Sequence, residues 1–469
     1  MRQVQTRMAA LNRQDLEQLD LQHDTQENQD DCNNALHSKW RRPLIIIAAF
    51  MLNFSGCGLL FSWGIYQAHY EEMSKSSNNP FSKATSADIT LIGSIAASLT
   101  KLCAPLAVAW SKEFTPRAVI LTGGILYGVA SVLASFSKDL WQFQLTQGLL
   151  IGIATCLSFM PSMAVPPAWF NKNRALSMGV ISSGTGIGGL VWSPILSICI
   201  RDLGYRDTLR LTGCVCSVLI CISALALDWE PEMAGKFHAE RSKGTLLSRL
   251  LYIQFPSKRV AFSRKFAAQS LNAALQSAAY YTPVFYIASY SKSLGYSDFQ
   301  GSNFTSLSNA CNAMGKIVVG FIADRIGRLD SFCITTLLSS VSTAGLWVPS
   351  SAIGNYNILL SRGLFIGFTV IYGLFASAYI GLFSPALFEI FGAKDQPRVV
   401  GFMYMLQGAA GLIGTPVAGA LIRGQDAASP PGNYLHMAIF TGALMIASVM
   451  CVLWAWMEVL QERRNKSVE

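Results

Sequence analysis

Long apolar segments alternate with short polar segments through most of this chain. Twelve apolar segments have or approach the ~20 residues that an α-helix needs to cross the hydrocarbon core of a bilayer. They lie at roughly 44–70, 88–110, 117–136, 140–165, 174–200, 208–228, 264–290, 302–323, 331–349, 356–388, 398–422 and 434–457. This pattern predicts an all-α membrane protein with twelve transmembrane helices in two six-helix halves.

The polar segments divide the predicted helices into units. Residues 1–38 are rich in Gln, Asp and Asn and have no apolar core, which predicts a disordered cytoplasmic tail. The predicted organisation continues with an N-terminal half at 39–228, a cytoplasmic linker at 229–262, a C-terminal half at 263–457 and a second cytoplasmic tail at 458–469.

Composition supports a membrane environment. Hydrophobic residues make up 51% of the chain and charged residues 13%, about half of the ~25% that is usual in soluble proteins. We therefore expect the lipid bilayer to be the main partner, and no nucleic acid, because the basic residues interrupt apolar segments instead of clustering among aromatic ones. Most of the 11 cysteines lie inside apolar segments, which is typical of buried small residues and not of a disulfide framework.

The positions of the basic residues predict the topology. If both termini are cytoplasmic, inside segments hold 25 of the 36 Lys and Arg residues, outside loops hold 8 and predicted spans hold 3. Cytoplasmic segments are the ones enriched in Lys and Arg. The sequence thus predicts cytoplasmic termini and a multi-pass location, in the plasma membrane first and in a vacuolar or other organelle membrane as the alternative.

Two lysines lie inside predicted spans. A charge at the bilayer centre costs about 2.5–3.5 kcal/mol on insertion scales, and such residues usually face a cavity and serve function. Lys316 and Lys101 are therefore candidates for binding a solute. The alternative is a structural contact with a carbonyl, or extension of the side chain towards the interface.

Uncharged polar residues supply weaker candidates. Asn272, Gln276 and Tyr280 are spaced i, i+4 and i+8 on the seventh predicted helix, which places them on one face and suits a solute with several oxygens. The same residues are equally suited to hydrogen bonds with a neighbouring helix. Asn53, Tyr66 and Tyr372 are further candidates of this kind.

A charged turn follows the eighth predicted helix. The residues Gly320, Asp324, Arg325, Gly327 and Arg328 form the pattern G-x-x-x-D-R-x-G-R. Glycines let helix ends approach closely, and the aspartate can pair with basic groups. This pattern predicts a tight inter-helix turn that acts as a gate.

Several motifs together carry a family resemblance. The charged turn resembles the short-loop signature of the major facilitator superfamily, and PPAWFNKNRALSMGVISSGTGIGG (166–189) is similar to the join between helices 4 and 5 of monocarboxylate porters. FIADRIGR (321–328) and GTPVAGALI (414–422) are similar to the fungal monocarboxylate-transporter-like branch. The resemblance implies the major facilitator fold, a cavity lined mainly by helices 1, 4, 7 and 10, and alternating access.

The sequence departs from the animal porters at their functional positions. Those porters carry a lysine in helix 1 and an Asp/Arg pair in helix 8, which serve the proton and the carboxylate. The equivalent positions here are Phe61 in helix 1, and Asn312 and Lys316 in helix 8. The resemblance therefore makes Asn312 and Lys316 substrate-binding candidates. Coupling to protons stays an open alternative, but these departures argue against tight proton coupling.

The sequence as a whole predicts a secondary active transporter of a small organic solute, first of all a carboxylate-bearing metabolite. Efflux of a neutral secondary metabolite is the alternative, and a transporter-fold nutrient receptor or a membrane enzyme is less well supported. The sequence contains no nucleotide-binding pattern, metal-ligand cluster or catalytic constellation, so we expect neither enzymatic activity nor a cofactor.

Overall fold

A computed structural model describes residues 41–82, 84–170, 174–231, 233–235, 237, 255–423 and 430–468. The predicted tail at 1–38 and most of the predicted linker lie outside the described residues.

The described chain forms twelve long helices. They are α1 (Arg41–Met73), α2 (Ser86–Leu102 and Ala104–Glu113), α3 (Pro116–Phe136), α4 (Leu140–Trp169), α5 (Arg174–Leu203), α6 (Tyr205–Ala226), α7 (Arg264–Ser293), α8 (Asp298–Ile326), α9 (Arg328–Ile353), α10 (Ile358–Gly392), α11 (Arg398–Ala420) and α12 (Pro431–Asn465). Each overlaps one predicted apolar segment. The twelve-helix fold class is confirmed.

Two of these helices are more polar than the rest. Nine described helices are long and apolar enough to cross a membrane, and the two pieces of α2, bent by 47°, would add a tenth. The remaining two are α7 and α8, whose polar side chains are largely buried within the protein. Helices that face protein instead of lipid tolerate polar residues, because neighbouring helices can satisfy their hydrogen bonds. The polar residues of α7 and α8 therefore face neighbouring helices.

The two halves meet along two long helix pairs. Helix α5 packs along α8, and α2 packs along α11, while α1 contacts α7. Glycines allow the close approach, because a Cβ at Gly186 would lie 2.6 Å from the amide nitrogen of Ala313, and a Cβ at Gly408 would lie 2.7 Å from the carbonyl oxygen of Ser98. These contacts occur at corresponding places in the two halves, as expected for paired repeats.

The bundle has two polar ends. The Glu71 end contains the C-terminal turn of α1, the start of α2, the C-terminal turns of α7 and the start of α8. The Asp324 end, at the opposite ends of α7 and α8, contains the α8–α9 turn and the C-terminal turns of α12.

Candidate functional site

Lys316 is buried in the middle of α8 and reaches across to the other half. Its side chain is 3% exposed. The ammonium group donates a 3.2 Å hydrogen bond to the carbonyl oxygen of Ser182 and a second hydrogen bond to the hydroxyl of Thr185, both on α5. It also lies 5.3 Å from the centroid of the Phe61 ring on α1. Lys316 therefore connects the second half to the first through neutral acceptors.

Lys101 makes the reciprocal arrangement from the first half. It lies in the last turn of the first piece of α2 and is 7% exposed. Its ammonium group donates a 3.2 Å hydrogen bond to the hydroxyl of Ser277 on α7 and lies 5.3 Å from the centroid of the Tyr281 ring. Each lysine thus comes from one half and hydrogen-bonds to the other half. Each also covers an aromatic ring on the first helix of a half, α1 for Lys316 and α7 for Lys101.

Aromatic rings connect the two lysines. The centroid of Phe61, under Lys316, lies 6.4 Å from that of Tyr281, under Lys101. Tyr280 lies 6.4 Å from Phe61 and 5.1 Å from Tyr281, measured between centroids. Among the described residues, no carboxylate lies within 4 Å of either ammonium group. The middle of the bundle therefore holds two lysine amino groups, separated by aromatic rings and hydrogen-bonded to neutral groups alone.

The three predicted candidates on one face of α7, here called the α7 stripe, are Asn272, Gln276 and Tyr280. They lie in two different environments. Asn272 and Gln276 accept hydrogen bonds of 2.8 and 3.0 Å from the hydroxyl of Ser448 on α12, within the second half. Tyr280 instead belongs to the aromatic group beside the lysines. Eight residues of an α-helix turn about 80° past whole turns, so the stripe rotates from one neighbouring helix to another. Of the three candidates, the structure brings only Tyr280 to the lysines.

The remaining polar candidates lie within single halves. The amide group of Asn53 donates to the carbonyl oxygen of Ala49 at 2.8 Å and to the hydroxyl of Ser162 on α4 at 3.0 Å. The Tyr66 ring packs 6.2 Å from that of Trp63 in the same helix.

Asn312 and Tyr372 take part in hydrogen bonds that join α10 to α8 and α7. Asn312 lies one turn of α8 before Lys316. Its backbone carbonyl oxygen accepts a 3.3 Å hydrogen bond from the hydroxyl of Ser377 on α10. The Tyr372 hydroxyl donates to the carbonyl oxygen of Tyr280 at 2.8 Å. Of these four candidates, Asn312 and Tyr372 are therefore the ones closest to the aromatic group.

The predicted charged turn connects α8 and α9. Gly327 ends α8 with φ +113°, a conformation that favours glycine, and the Arg328 guanidinium lies 3.7 Å from the Asp324 carboxylate. Arg325 covers the Phe321 ring at 4.2 Å, and Gly320 lies half-buried one turn before Asp324. The turn has the predicted tight geometry. Its role as a gate stays a prediction.

A second polar group, at the Glu71 end, was missed by the sequence analysis. The Glu71 carboxylate accepts hydrogen bonds from Gln67 at 3.2 Å, from Ser86 of α2 at 3.0 Å and from Ser289 of α7 at 2.6 Å. The neighbouring Glu72 lies 3.2 Å from the ammonium group of Lys292 on α7. The only local signal was two adjacent acidic residues near a helix end, which is common on exposed surfaces.

Comparison with known proteins identifies the fold and the family. The model of the Major Facilitator Superfamily matches residues 43–359 and 269–469. The chain belongs to the major facilitator superfamily. The solved nucleoside transporter NupG, which has 14% sequence identity, superposes with a TM-score of 0.63 over 87% of this chain and 99% of that one, and this match shows the shared fold.

Relatives of this superfamily member are themselves named as transporters. It is 24% identical to the agnestins efflux protein AgnL12 of Paecilomyces divaricatus, over 89% of this chain and 88% of that protein. It is 25% identical to monocarboxylate transporter 12 of Xenopus laevis, over 76% and 77% of the two chains. The monocarboxylate-porter resemblance is therefore confirmed, and the fold and relatives are those of transporters, not of enzymes.

Proposed function

We propose that this transporter carries a small organic anion with a carboxylate group, and that Lys101 and Lys316 bind it. The observation that carries this proposal is the pair of buried ammonium groups, each paired with neutral oxygens only. An ammonium group and a carboxylate add Coulomb attraction to their hydrogen bond, and this attraction is larger in a protein interior than in water. A carboxylate entering between the halves would therefore be a better acceptor for either lysine than the hydroxyl of Ser277 or Thr185.

Binding of an anion would also change how the halves are connected. In the structure each lysine donates its hydrogen bonds across the interface between the halves. A lysine that turns towards a carboxylate gives up its bond to the opposite half. The free energy of binding the anion therefore differs between arrangements of the two halves. Such a difference is what a solute needs in order to shift a conformational equilibrium. This links substrate binding to alternating access.

Export of an uncharged metabolite is the second candidate function. The direction of transport in this candidate is supported by the relative named as an agnestins efflux protein. In that case the lysines hold the halves together and contact no substrate charge. The two functions differ in the effect of a lysine substitution on solute binding.

We also propose that both termini lie in the cytoplasm, on the strength of the distribution of Lys and Arg, and that the membrane is the plasma membrane. In this topology the Glu71 end faces outwards. Cysteines introduced at Ser82 and Lys243 test it, because a membrane-impermeant maleimide added to intact cells should label the first and not the second. Labelling of the Lys243 position alone would reverse the assignment.

Thermal unfolding of the purified protein tests the anion site directly. The probes are lactate, succinate and benzoate, each beside its neutral amide. A ligand present at 100 times its Kd stabilises a protein by about 2.7 kcal/mol, so at least one carboxylate should raise the Tm while its amide does not. Lys316→Gln should weaken the affinity roughly 10- to 100-fold, the value of a charged hydrogen bond of ~1.5–3 kcal/mol.

Arg362→Gln is the matched control. Arg362 also lies in a membrane helix, yet its guanidinium donates to the carbonyl oxygen of Leu294 at 2.8 and 2.9 Å and covers Tyr296. This variant should retain the carboxylate-induced shift. Stabilisation by an amide that matches stabilisation by its acid, unchanged in Lys316→Gln, would favour the neutral-metabolite function.

A further inference from the structure

Glu71 differs from the other carboxylates at the Glu71 end in its burial and in its hydrogen-bond partners. It is half-buried, and three helices supply its three hydrogen-bond donors: Gln67 from α1, Ser86 from α2 and Ser289 from α7. Ser289 belongs to the other half. Among the described residues, no basic nitrogen lies within 4 Å of Glu71. Closing this end therefore encloses a carboxylate without giving it a cation.

The nearest ammonium group is already occupied. Lys292 pairs with Glu72 and with Asp298 of α8, and both of these carboxylates are more than half exposed. These three side chains together carry one excess negative charge. Lys292 attracts Glu71 electrostatically, but it shares its charge with two carboxylates, so these three side chains as a whole do not neutralise Glu71.

The other titratable groups near Glu71 are neutral phenols or groups that interact with other residues. Tyr286 of α7 and Tyr434 of α12 are the phenols close enough to interact electrostatically with it, and His69 of α1 lies nearer Glu72 and Lys292. On α2, Asp88 is held in the helix-start hydrogen bonds of Thr85.

The charged residues at the C-terminal end of α5 form a pair of their own. Arg201 and Asp202 of α5 bond to each other at 2.7 Å and are both mostly exposed. Lys292 thus acts on Glu71 electrostatically from beyond 4 Å, but no basic group among the described residues pairs with Glu71 directly.

We propose that Glu71 binds a proton when the two halves close at this end, so that acid favours the closed arrangement. The geometry accepts the protonated form without rearrangement. A protonated carboxyl group is a donor at one oxygen, and a serine hydroxyl is both donor and acceptor. The 2.6 Å contact with Ser289 suits an O–H···O bond in either direction. Opening of this end would separate Ser289 from Glu71 and return the carboxylate to water.

The direction of the pH effect follows from linkage. The closed arrangement encloses the carboxyl group and holds its proton more tightly than the open arrangement does. The ratio of closed to open molecules therefore rises as the pH falls, by at most tenfold per pH unit for one proton, and levels off once Glu71 is protonated in both arrangements. The position differs from the helix 8 carboxylate of the animal porters, which is Asn312 here.

A distance measurement on the full-length protein in lipid nanodiscs tests this proposal without any solute. Spin labels are attached to cysteines at Ser77 and Phe299, which are exposed and lie in opposite halves at the Glu71 end, in a background without native cysteines. Pulsed dipolar spectroscopy at about pH 8 and about pH 5.5 then gives the closed-to-open ratio. We expect the short-distance population to grow several-fold at the lower pH.

Variants of the two adjacent glutamates identify the responsible group. Glu71→Gln should be mainly closed at both pH values, and Glu71→Asp should keep a pH response with a shifted midpoint. Glu72→Gln, the matched control, should keep the response as well. A wild-type ratio independent of pH, or a full response in Glu71→Gln, would overturn the proposal. Because no solute is present, either result leaves the lysine test of the proposed function unaffected.

Discussion

The two ends of the helix bundle use charged and polar residues in different ways. At the Glu71 end, the hydrogen bond between Ser289 and Glu71, the ion pair between Lys292 and Glu72 and the bond between Thr90 and Tyr286 all join one half to the other. At the Asp324 end, the ion pairs between described residues stay within one half. They are Asp324–Arg328, Glu389–Arg463, Lys265–Glu462, Arg264–Glu458 and Arg117–Asp228.

This difference indicates which end is closed in the structure. Contacts that cross between the halves must break when that end opens, whereas contacts within a half move with it as a unit. The structure is therefore closed at the Glu71 end, and each ion pair of the Asp324 end joins helices or turns within one half. Three predictions test this comparison with the spin pair at Ser77 and Phe299.

The largest expected effect comes from Gly64, where α1 meets α7. A Cβ at this position would lie 2.7 Å from the carbonyl oxygen of Phe285. Because overpacking costs about 1–3 kcal/mol, Gly64→Val should lower the closed-to-open ratio roughly 10- to 100-fold. Gly363→Val is the control, since no atom lies within 4 Å of a Cβ there. Equal ratios in the two variants would show that α1 and α7 are not in contact when the protein is in a membrane.

A medium effect is expected at Tyr286. Its hydroxyl bonds to Thr90 of the other half, so Tyr286→Phe removes one neutral hydrogen bond that exists only in the closed arrangement. At about 0.5–1.5 kcal/mol, this loss should lower the ratio roughly 2- to 10-fold. Tyr290→Phe removes a comparable bond to Ser350 within the second half and should leave the ratio unchanged. If both variants changed the ratio equally, the distinction between cross-half and within-half contacts would fail.

The smallest effect is expected at Asp324. Here the substitution should raise the closed-to-open ratio instead of lowering it. If the charged turn meets the first half only when the Asp324 end closes, Asp324→Asn removes a contact from that arrangement and raises the ratio at the Glu71 end. An exposed ion pair contributes up to about 1 kcal/mol, so the increase should not exceed about 5-fold. Glu462→Gln, which loses its 2.7 Å contact with Lys265 within the same half, is the control. A lower ratio in Asp324→Asn would contradict the gate assignment.

The sequence predicted the features that depend on local composition. Helices were recognisable from apolar length, and Lys101 and Lys316 stood out because a charge in an apolar segment is a local anomaly. The environment of Glu71 depends on Ser289, which is 218 residues away in the chain. Nothing local distinguishes Glu71 from Glu72, although one is enclosed by hydroxyls and the other is exposed beside Lys292.

The same reasoning explains the divided stripe on α7. The spacing of Asn272, Gln276 and Tyr280 correctly indicated the interior of the protein, where all three are buried. It did not indicate which neighbouring helix each side chain would meet. That depends on how α12 and α1 pack against α7, and therefore on contacts distant in the sequence.

The aromatic rings between the lysines have a consequence for the empty carrier. Phe61, Tyr280, Tyr281 and Tyr372 are each at most 6% exposed and pack in contact with one another at mid-depth. Closely packed rings leave little room for water in the space between the two lysines. We therefore expect these rings to limit the leak of ions between the two compartments while no solute is being moved.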